Sequence, residues 1–222
     1  MSIPKLTFYD LMSKAEDLSS RPSSPNTWKI RYALNIKKIP YETVWLETAD
    51  VNPTMKQLGV PPTAVRGGRP FYSVPTIYDP STQKAVTDTI HILIYLEEQY
   101  PEHTPLLFPK ATRPLQTAFT DTFFANLSAH MIPIMLFGVY DRLSPRSQAY
   151  FRESREQWFG KRLEDVVLEG EARERAIGEV VAALGAVGKW MDMNGEGSMQ
   201  MTGESISFSD VGIAAVLTAI KR

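Results

Sequence analysis

The stretch Ser73-Val74-Pro75-Thr76-Ile77-Tyr78-Asp79-Pro80-Ser81-Thr82-Gln83-Lys84-Ala85-Val86-Thr87-Asp88-Thr89 decides the fold of this chain. Pro75 to Tyr78 and Lys84 to Val86 read as two short strands. The turn formers Asp79, Pro80 and Ser81 lie in the segment between them, so a β-hairpin is expected. A helix over Asp88 to Gln99 follows, stopped before Pro101. Tyr72-Ser73-Val74-Pro75-Thr76 leads into the first of these strands. Pro75 lacks an N–H and suits a strand start or an edge. With a cis Val74–Pro75 bond, the Val74 N–H and C=O point sideways and can pair with an extended peptide like an added strand. With a trans bond, Pro75 does no more than begin the strand.

Working outward, Leu6-Thr7-Phe8-Tyr9-Asp10 alternates as a strand does. A Ser- and Pro-rich loop precedes a helix over Asn26 to Ile36 with Ile30, Ala33 and Leu34 on one face. Tyr41 to Glu47 is β-branched and aromatic, a second strand. Asn52 to Leu58 forms a short helix, and Val60 to Tyr72, with three prolines and two glycines, is expected to be loop. Gly67-Gly68 reads there as a turn. The order β-α-β-(α)-β-β-α over residues 1–100 predicts a thioredoxin-like α/β domain. Residues 101–114 carry four prolines and form the expected linker. Residues 115–222 hold no convincing strand. Leu115 to Tyr140, with a kink at Pro133, then Pro145 to Val167, Glu171 to Met193 and Ser207 to Arg222 are expected helices of an all-α domain.

Composition narrows the chemistry. The 222 residues are 43% apolar and 22% charged, with a net charge of −1. There is no basic field to attract nucleic acid. No apolar run reaches bilayer-spanning length, and the N-terminus has no signal-peptide apolar region, so a cytoplasmic protein without a membrane partner is expected. Cysteine is absent, which rules out disulfides, a cysteine nucleophile and thiolate metal sites. Any thiol chemistry must use a thiol brought by a ligand. His91, His103 and His130 lack metal-ligand spacing, so no metal is expected. No Gly-rich phosphate loop and no Gly-x-Ser-x-Gly elbow is present.

Three helix starts stand out: two can meet a ligand, and the third, at Ser207, is structural on any reading. Thr87-Asp88-Thr89 precedes a helix whose free N–H groups and partial positive charge can dock a carboxylate, with Asp88 placed to meet an ammonium; an ordinary N-cap explains the same residues. In Ser23-Ser24-Pro25, Ser24 is the N-cap and Pro25 the first helical residue. The Ser24 hydroxyl can donate to a ligand sulfur and stabilise a thiolate, or simply cap. Ser207 and Asp210 have capping-box spacing, with Ile206 and Val211 placed as a hydrophobic staple.

Taken in order, Ser-Pro-x-x-x-Lys-x-Arg-x-Ala-Leu-Asn (Ser24 to Asn35), Val74-Pro75, Asp88-Thr89 and Ser-x-x-Asp at 207–210 resemble the cytosolic glutathione transferases. Ser24 to Asn35 together with Val74 to Thr82 is most similar to the fungal-specific class A branch, which is related to bacterial lignin β-etherases. The resemblance covers essentially the whole chain and is strongest in the first 100 residues. It implies the glutathione transferase fold, glutathione as co-substrate, and a homodimer. It implies that Ser24, with Ser23 as rival, contacts the glutathione sulfur, and that Val74, before a cis Pro75, pairs with the cysteinyl backbone. Ser73, Asp88 and Thr89 complete the site; family members usually have Glu or Gln, then Ser, at the last two positions. Lys56 or Gln57 would hold the glycyl carboxylate. The resemblance also implies two or more helices after the one that Ser207 starts, whereas this sequence ends at Arg222.

The function so implied is conjugation of glutathione thiolate to apolar or aromatic electrophiles, with peroxides as further substrates. A non-catalytic binder of phenolic compounds and a glutathione-dependent β-etherase are the alternatives. Phe119, Phe123, Phe124, Leu127 and Met131 are candidate acceptor-pocket walls; their helical spacing equally suits plain helix–helix core.

Overall fold

The structure is a computed structural model that describes residues 4–17 and 20–221. Strand β1 (Leu6–Leu11) pairs in parallel with β2 (Tyr41–Leu46), and helix α1 (Pro25–Ile36) connects them. β1 also pairs antiparallel with β5 (Thr76–Asp79), which pairs with β6 (Lys84–Thr87). The sheet order is β2-β1-β5-β6. Alternation along β1 buries Leu6, Phe8 and Asp10 on one side. Those apolar residues meet Ile30, Ala33 and Leu34 of α1 and Ile92, Leu93 and Leu96 of α3 (Thr89–Gln99). This is the thioredoxin-like layer arrangement that the element order predicts.

Two expectations need correction. Residues 60–72 are not simply loop: β3 (Ala64–Arg66) and β4 (Arg69–Phe71) form a separate two-stranded sheet. Gly67 and Gly68 both have positive φ, 55° and 73°, as a tight two-residue hairpin turn demands. The prolines that suggested loop sit at Pro61 and Pro62, ahead of the hairpin, and at Pro70, which tolerates a two-stranded edge. The helix expected over 145–167 is broken into α5 (Pro145–Phe159) and α6 (Leu163–Val166), because Gly160 adopts the left-handed conformation and ends α5. Between β2 and β3, a 3₁₀ turn (Thr48–Asp50) leads into α2 (Val51–Gln57).

The remaining helices are α4 (Arg113–Asp141), α7 (Gly170–Asp192) and α8 (Phe208–Lys221). Pro133 lies inside α4, and its carbonyl accepts the Leu168 N–H at 3.2 Å. By length and composition α4 is apolar enough to cross a membrane, although Asp121, Asn126 and His130 interrupt its apolar runs. In this fold Phe123 and Leu127 of α4 are buried against Val180 and Val187 of α7 and Val216 of α8. α8 joins both cores: Phe208 and Val211 pack with β1, α1 and α3, while Ile213 and Val216 pack with α4 and α7. Its start differs in detail from a capping box. Asp210 accepts from the Ser207 N–H at 2.8 Å as expected, but also from the Ser207 hydroxyl at 2.6 Å and the Met201 N–H at 2.7 Å.

One buried carboxylate ties the sheet to α3. Asp79, at the end of β5, accepts from the Tyr95 hydroxyl (2.6 Å), the Tyr100 hydroxyl, and both the N–H and hydroxyl of Ser81. Burial pushes this carboxyl up, but the hydrogen bonds from Ser81, Tyr100 and Tyr95 outweigh it and hold it below its ordinary value. Burial and the bond to Asp79 raise the Tyr100 phenol to about 12, so it stays a donor at neutral pH. Asp79→Ala leaves buried donors without their acceptor and is expected to lower the free energy of unfolding by about 3 kcal/mol, measured by chemical denaturation. A carboxyl held low when folded contributes stability above its unfolded pKa and loses it as pH falls through the folded one. The gap between wild type and Asp79→Ala should therefore shrink as pH drops below 3.8.

Candidate active site

The chain opens its sheet at the Ser73–Pro75 crossing. The Val74–Pro75 bond is cis. Pro75 C=O accepts the Asp88 N–H at 3.3 Å, and Ser73 C=O accepts the hydroxyls of Thr76 and Thr87. Between them Val74, itself buried, has neither its N–H nor its C=O paired among the described residues. A backbone N–H and C=O that the protein's own ladder leaves unpaired can pair with an added extended strand. The Ser73 hydroxyl bonds that of Thr63 at 2.8 Å, which anchors the crossing to the segment before β3.

Two helix starts flank Val74. Asp88 caps α3: its carboxylate accepts the Ile90 N–H at 3.0 Å, and its φ of 78° is one that non-glycine residues rarely adopt. The Thr89 N–H carries no partner among the described residues and opens the helix. At α1, Ser24 is the N-cap, with its Oγ accepting the Asn26 N–H at 3.2 Å and Pro25 in the first turn. Its own O–H is uncommitted among the described residues. Ser23 differs: its hydroxyl donates to the Leu11 carbonyl at 3.4 Å. The rival serines are therefore separated by what their protons already do.

A cavity of about 330 Å³ lies here, bordered by Ser73, Val74, Pro75, Asp88 and Thr89 on the sheet side. Ser24 does not border the cavity; from α1 it is Asn26 and Lys29, two and five positions further along, that do. Lys56 does not reach the wall. It is exposed on α2, its Nζ 5.6 Å from the Tyr72 ring, and Gln57 is exposed beside it. The aromatic stripe of α4 divides. Phe124 borders the cavity as well as packing on the α4–α7–α8 core, whereas Phe123 and Leu127 are buried in that core and Phe119 and Met131 pack on it without bordering the cavity. These four do not border this cavity; the apolar stripe that they form packs in the helical core. The face turned to the cavity is Thr120, Phe124 and Ser128, four residues apart along α4, a spacing that smaller and partly polar side chains had disguised. Gly212 of α8 lets Phe124 sit close; a Cβ there would lie 3.3 Å from its ring.

Lys29 is the functional candidate that the sequence reading did not single out. It is 6% exposed, a rare state for lysine. Its Nζ sits 3.3 Å from the centroid of Phe124 and donates to Asn26 Oδ1 at 3.1 Å. Burial lowers its pKa to about 8, with Asp121 and Asp88 opposing the shift. The Thr120 hydroxyl, also bordering the cavity, is buried with no hydrogen-bond partner among the described residues. The cavity thus joins an open backbone pair, a helix N-terminus, the unpartnered Thr120 hydroxyl and a buried ammonium.

Comparison with known proteins agrees with this layout. Residues 23–99 match the family model "Glutathione S-transferase, N-terminal domain", and residues 114–222 match "Glutathione S-transferase, C-terminal domain". A glutathione S-transferase-like protein of Aspergillus flavus, ustS, is 32% identical over 178 residues, which is 78% of this chain and 63% of that protein. A maleylacetoacetate isomerase of Aspergillus fumigatus, maiA, is 27% identical over 74% of this chain and 66% of its own length. The chain thus spans slightly less than two thirds of either curated relative. Among solved structures, glutathione transferase GSTFuA2 from Phanerochaete chrysosporium is 42% identical with a TM-score of 0.87, covering 98% of this chain and 86% of its own. A glutathione S-transferase of Ceriporiopsis subvermispora, solved in complex with glutathione, is 36% identical with a TM-score of 0.89, covering 98% and 85%. By the two domain models, and by the 42% identical solved structure that it covers to 86%, the chain belongs to the glutathione S-transferase family.

Proposed function

We propose that this protein binds glutathione at the Val74 crossing and transfers its sulfur to an apolar or aromatic electrophile, as a serine-type member of the fungal-specific class A branch acting as a cytoplasmic homodimer. The observation that carries the reading is the unpaired Val74 backbone between the starts of α1 and α3. The cysteinyl N–H and C=O of glutathione complete that ladder position. The γ-glutamyl carboxylate docks at the Thr89 N–H, favoured by the helix dipole, and its ammonium meets Asp88. The 42% identical GSTFuA2 favours the fungal branch.

In the reaction, the thiol proton leaves to solvent and the thiolate attacks the electrophilic atom; a carbon–sulfur bond forms and the leaving group takes its electron pair. The Ser24 O–H donates to the sulfur and stabilises its negative charge. Its Oγ is fixed by the Asn26 N–H, so the donor needs no rearrangement. Lys29 supplies the cavity's buried positive charge, balancing the anion that forms when the thiol ionises. Phe124 offers an apolar surface for the acceptor beside it. Peroxide reduction and β-ether cleavage start from the same bound thiol and differ in the acceptor, whereas storage of phenolic ligands needs no thiol step.

Ser24→Ala is expected to lower turnover of an aromatic electrophile by about 10-fold, the worth of one neutral hydrogen bond to the developing charge. Ser23→Ala should stay within about twofold, since that proton already serves Leu11. Steady-state kinetics on both variants decides between them, and equal losses would remove Ser24 from the role.

Lys29 gives a pH prediction. Its ammonium is complete below about 8 and is lost as pH rises through that value, far below the ordinary 10.5. Activity should fall above pH 8 in wild type, and Lys29→Met should lack that limb. Between 8 and 10.5 the unfolded chain holds the proton that the folded one has released, so wild-type stability should rise with pH relative to Lys29→Met. Titration of Lys29 by NMR at 10.5 would contradict both.

A further inference from the structure

Thr120 lies in the interior of α4 with 3% of its surface exposed, and its hydroxyl has no hydrogen-bond partner among the described residues. A serine or threonine inside a helix can satisfy its proton on the carbonyl four residues back. Ser128 does so on the Phe124 carbonyl at 2.6 Å, and Thr218 on the Ala214 carbonyl at 2.8 Å. Thr120 makes no such bond to Gln116. The Gln116 side chain does not replace it, because its amide already serves Leu107, Thr112 and Ser209. A buried hydroxyl without a partner costs stability that an apolar side chain of the same shape would not.

The other branch of the side chain is accounted for. A Cβ at Gly212 would lie 3.5 Å from the Thr120 methyl, so that methyl faces α8. A β-branched side chain with its methyl so placed holds its hydroxyl in a fixed direction. Thr120 borders the cavity at Val74, together with Phe124 one turn along α4 and Lys29 of α1. The Lys29 Nζ stands 3.3 Å from the centroid of the Phe124 ring. Ser128, on the same face of α4, has spent its proton on the Phe124 carbonyl. Asp121 borders the cavity from an exposed position. The wall around Phe124 thus offers a neutral donor and a cation, and both suit an oxygen atom that gains negative charge.

We propose that the Thr120 hydroxyl binds the carbonyl oxygen of the acceptor, and that the preferred electrophile is an α,β-unsaturated carbonyl compound. This rests on the glutathione reading above and narrows it to one substrate class. The glutathione thiolate adds to the carbon β to the carbonyl, and a carbon–sulfur bond forms. The alkene electron pair moves toward oxygen and gives an enolate. Thr120 keeps its proton and stabilises the enolate oxygen through the hydrogen bond, with the Lys29 charge on the same wall. Water then protonates the α carbon. Nothing leaves, and the product is the saturated thioether. An alkyl halide, by contrast, puts its charge on the departing halide and has no oxygen for Thr120 to meet.

Steady-state kinetics on the full chain tests this, with glutathione and two acceptors. One is benzylideneacetone, an aryl enone; the other is benzyl bromide, which carries no oxygen. The readout is the ratio of their kcat/KM values, enone over bromide. Thr120→Val keeps the shape and removes the hydroxyl, and should lower the ratio at least about 10-fold. Thr120→Ser should restore it to within about threefold of wild type. A hydroxyl with a merely structural role would move both acceptors together, and its removal would lower Tm. Loss of an unpartnered buried hydroxyl should instead leave Tm unchanged or raise it by about 2 °C. An unchanged ratio in Thr120→Val, no rescue by Thr120→Ser, or a lower Tm in Thr120→Val would each overturn the proposal while wild-type turnover upholds the glutathione reading. No glutathione-dependent turnover of either acceptor by wild type would overturn that reading and this proposal with it.

Discussion

Everything at the Val74 crossing depends on how firmly β5 is held to α3, and that joint is the Asp79 carboxylate. β5 begins just after Val74 and ends at Asp79. α3 begins just after Asp88 and carries Tyr95, with Tyr100 at its C-cap. By taking both phenols, Asp79 clamps the far ends of strand and helix together. Their near ends, Val74 and Thr89, are then fixed at one cavity edge. The hydrogen bonds that fix this joint also stabilise the charge of Asp79, so the acceptor is strongest where it is most needed. The Pro75 C=O and the Asp88 N–H close the near end of the same unit.

Much of the fold was legible because local rules and tertiary packing agree. Ser24-Pro25 marks a helix start, and Asp79 to Gln83 marks a turn; both are as expected. The hairpin over 64–71 was hidden by Pro61 and Pro62 just ahead of it and by Pro70 within β4, although Gly67-Gly68 is a hairpin signal of the strongest kind. The break at Gly160 was hidden because α5 and α6 together carry one apolar pattern. Asp79 read only as a turn residue, since its partners lie 16 and 21 positions away.

The site divides in the same way. Residues that act through backbone and helix ends, Ser73 to Pro75 and Asp88-Thr89, lie together as their order along the chain suggested. Residues that depend on which side of α4 faces inward were not readable. Helical periodicity identifies the apolar stripe of Phe119, Phe123 and Leu127, and an apolar stripe goes to the core. Phe124, one position round the helix, is the aromatic that remains for the cavity. Lys29 was in plain view within the Ser24 to Asn35 motif, but burial of a lysine is decided by tertiary packing, here by the Phe124 ring above it. Several arginines, such as Arg31, Arg146, Arg152 and Arg162, meet a carboxylate, while Lys29, Arg66 and Arg155 lie against aromatic rings at cavity walls.

The central claim is that glutathione at Val74 is held as thiolate by the Ser24 hydroxyl. The most direct measurement is the ultraviolet difference titration of the glutathione thiol bound to wild type and to Ser24→Ala. The account predicts a bound thiol pKa below that of free glutathione in wild type, moving back toward the free value in Ser24→Ala. A bound pKa equal to the free value in wild type, or one unchanged by the substitution, would contradict it.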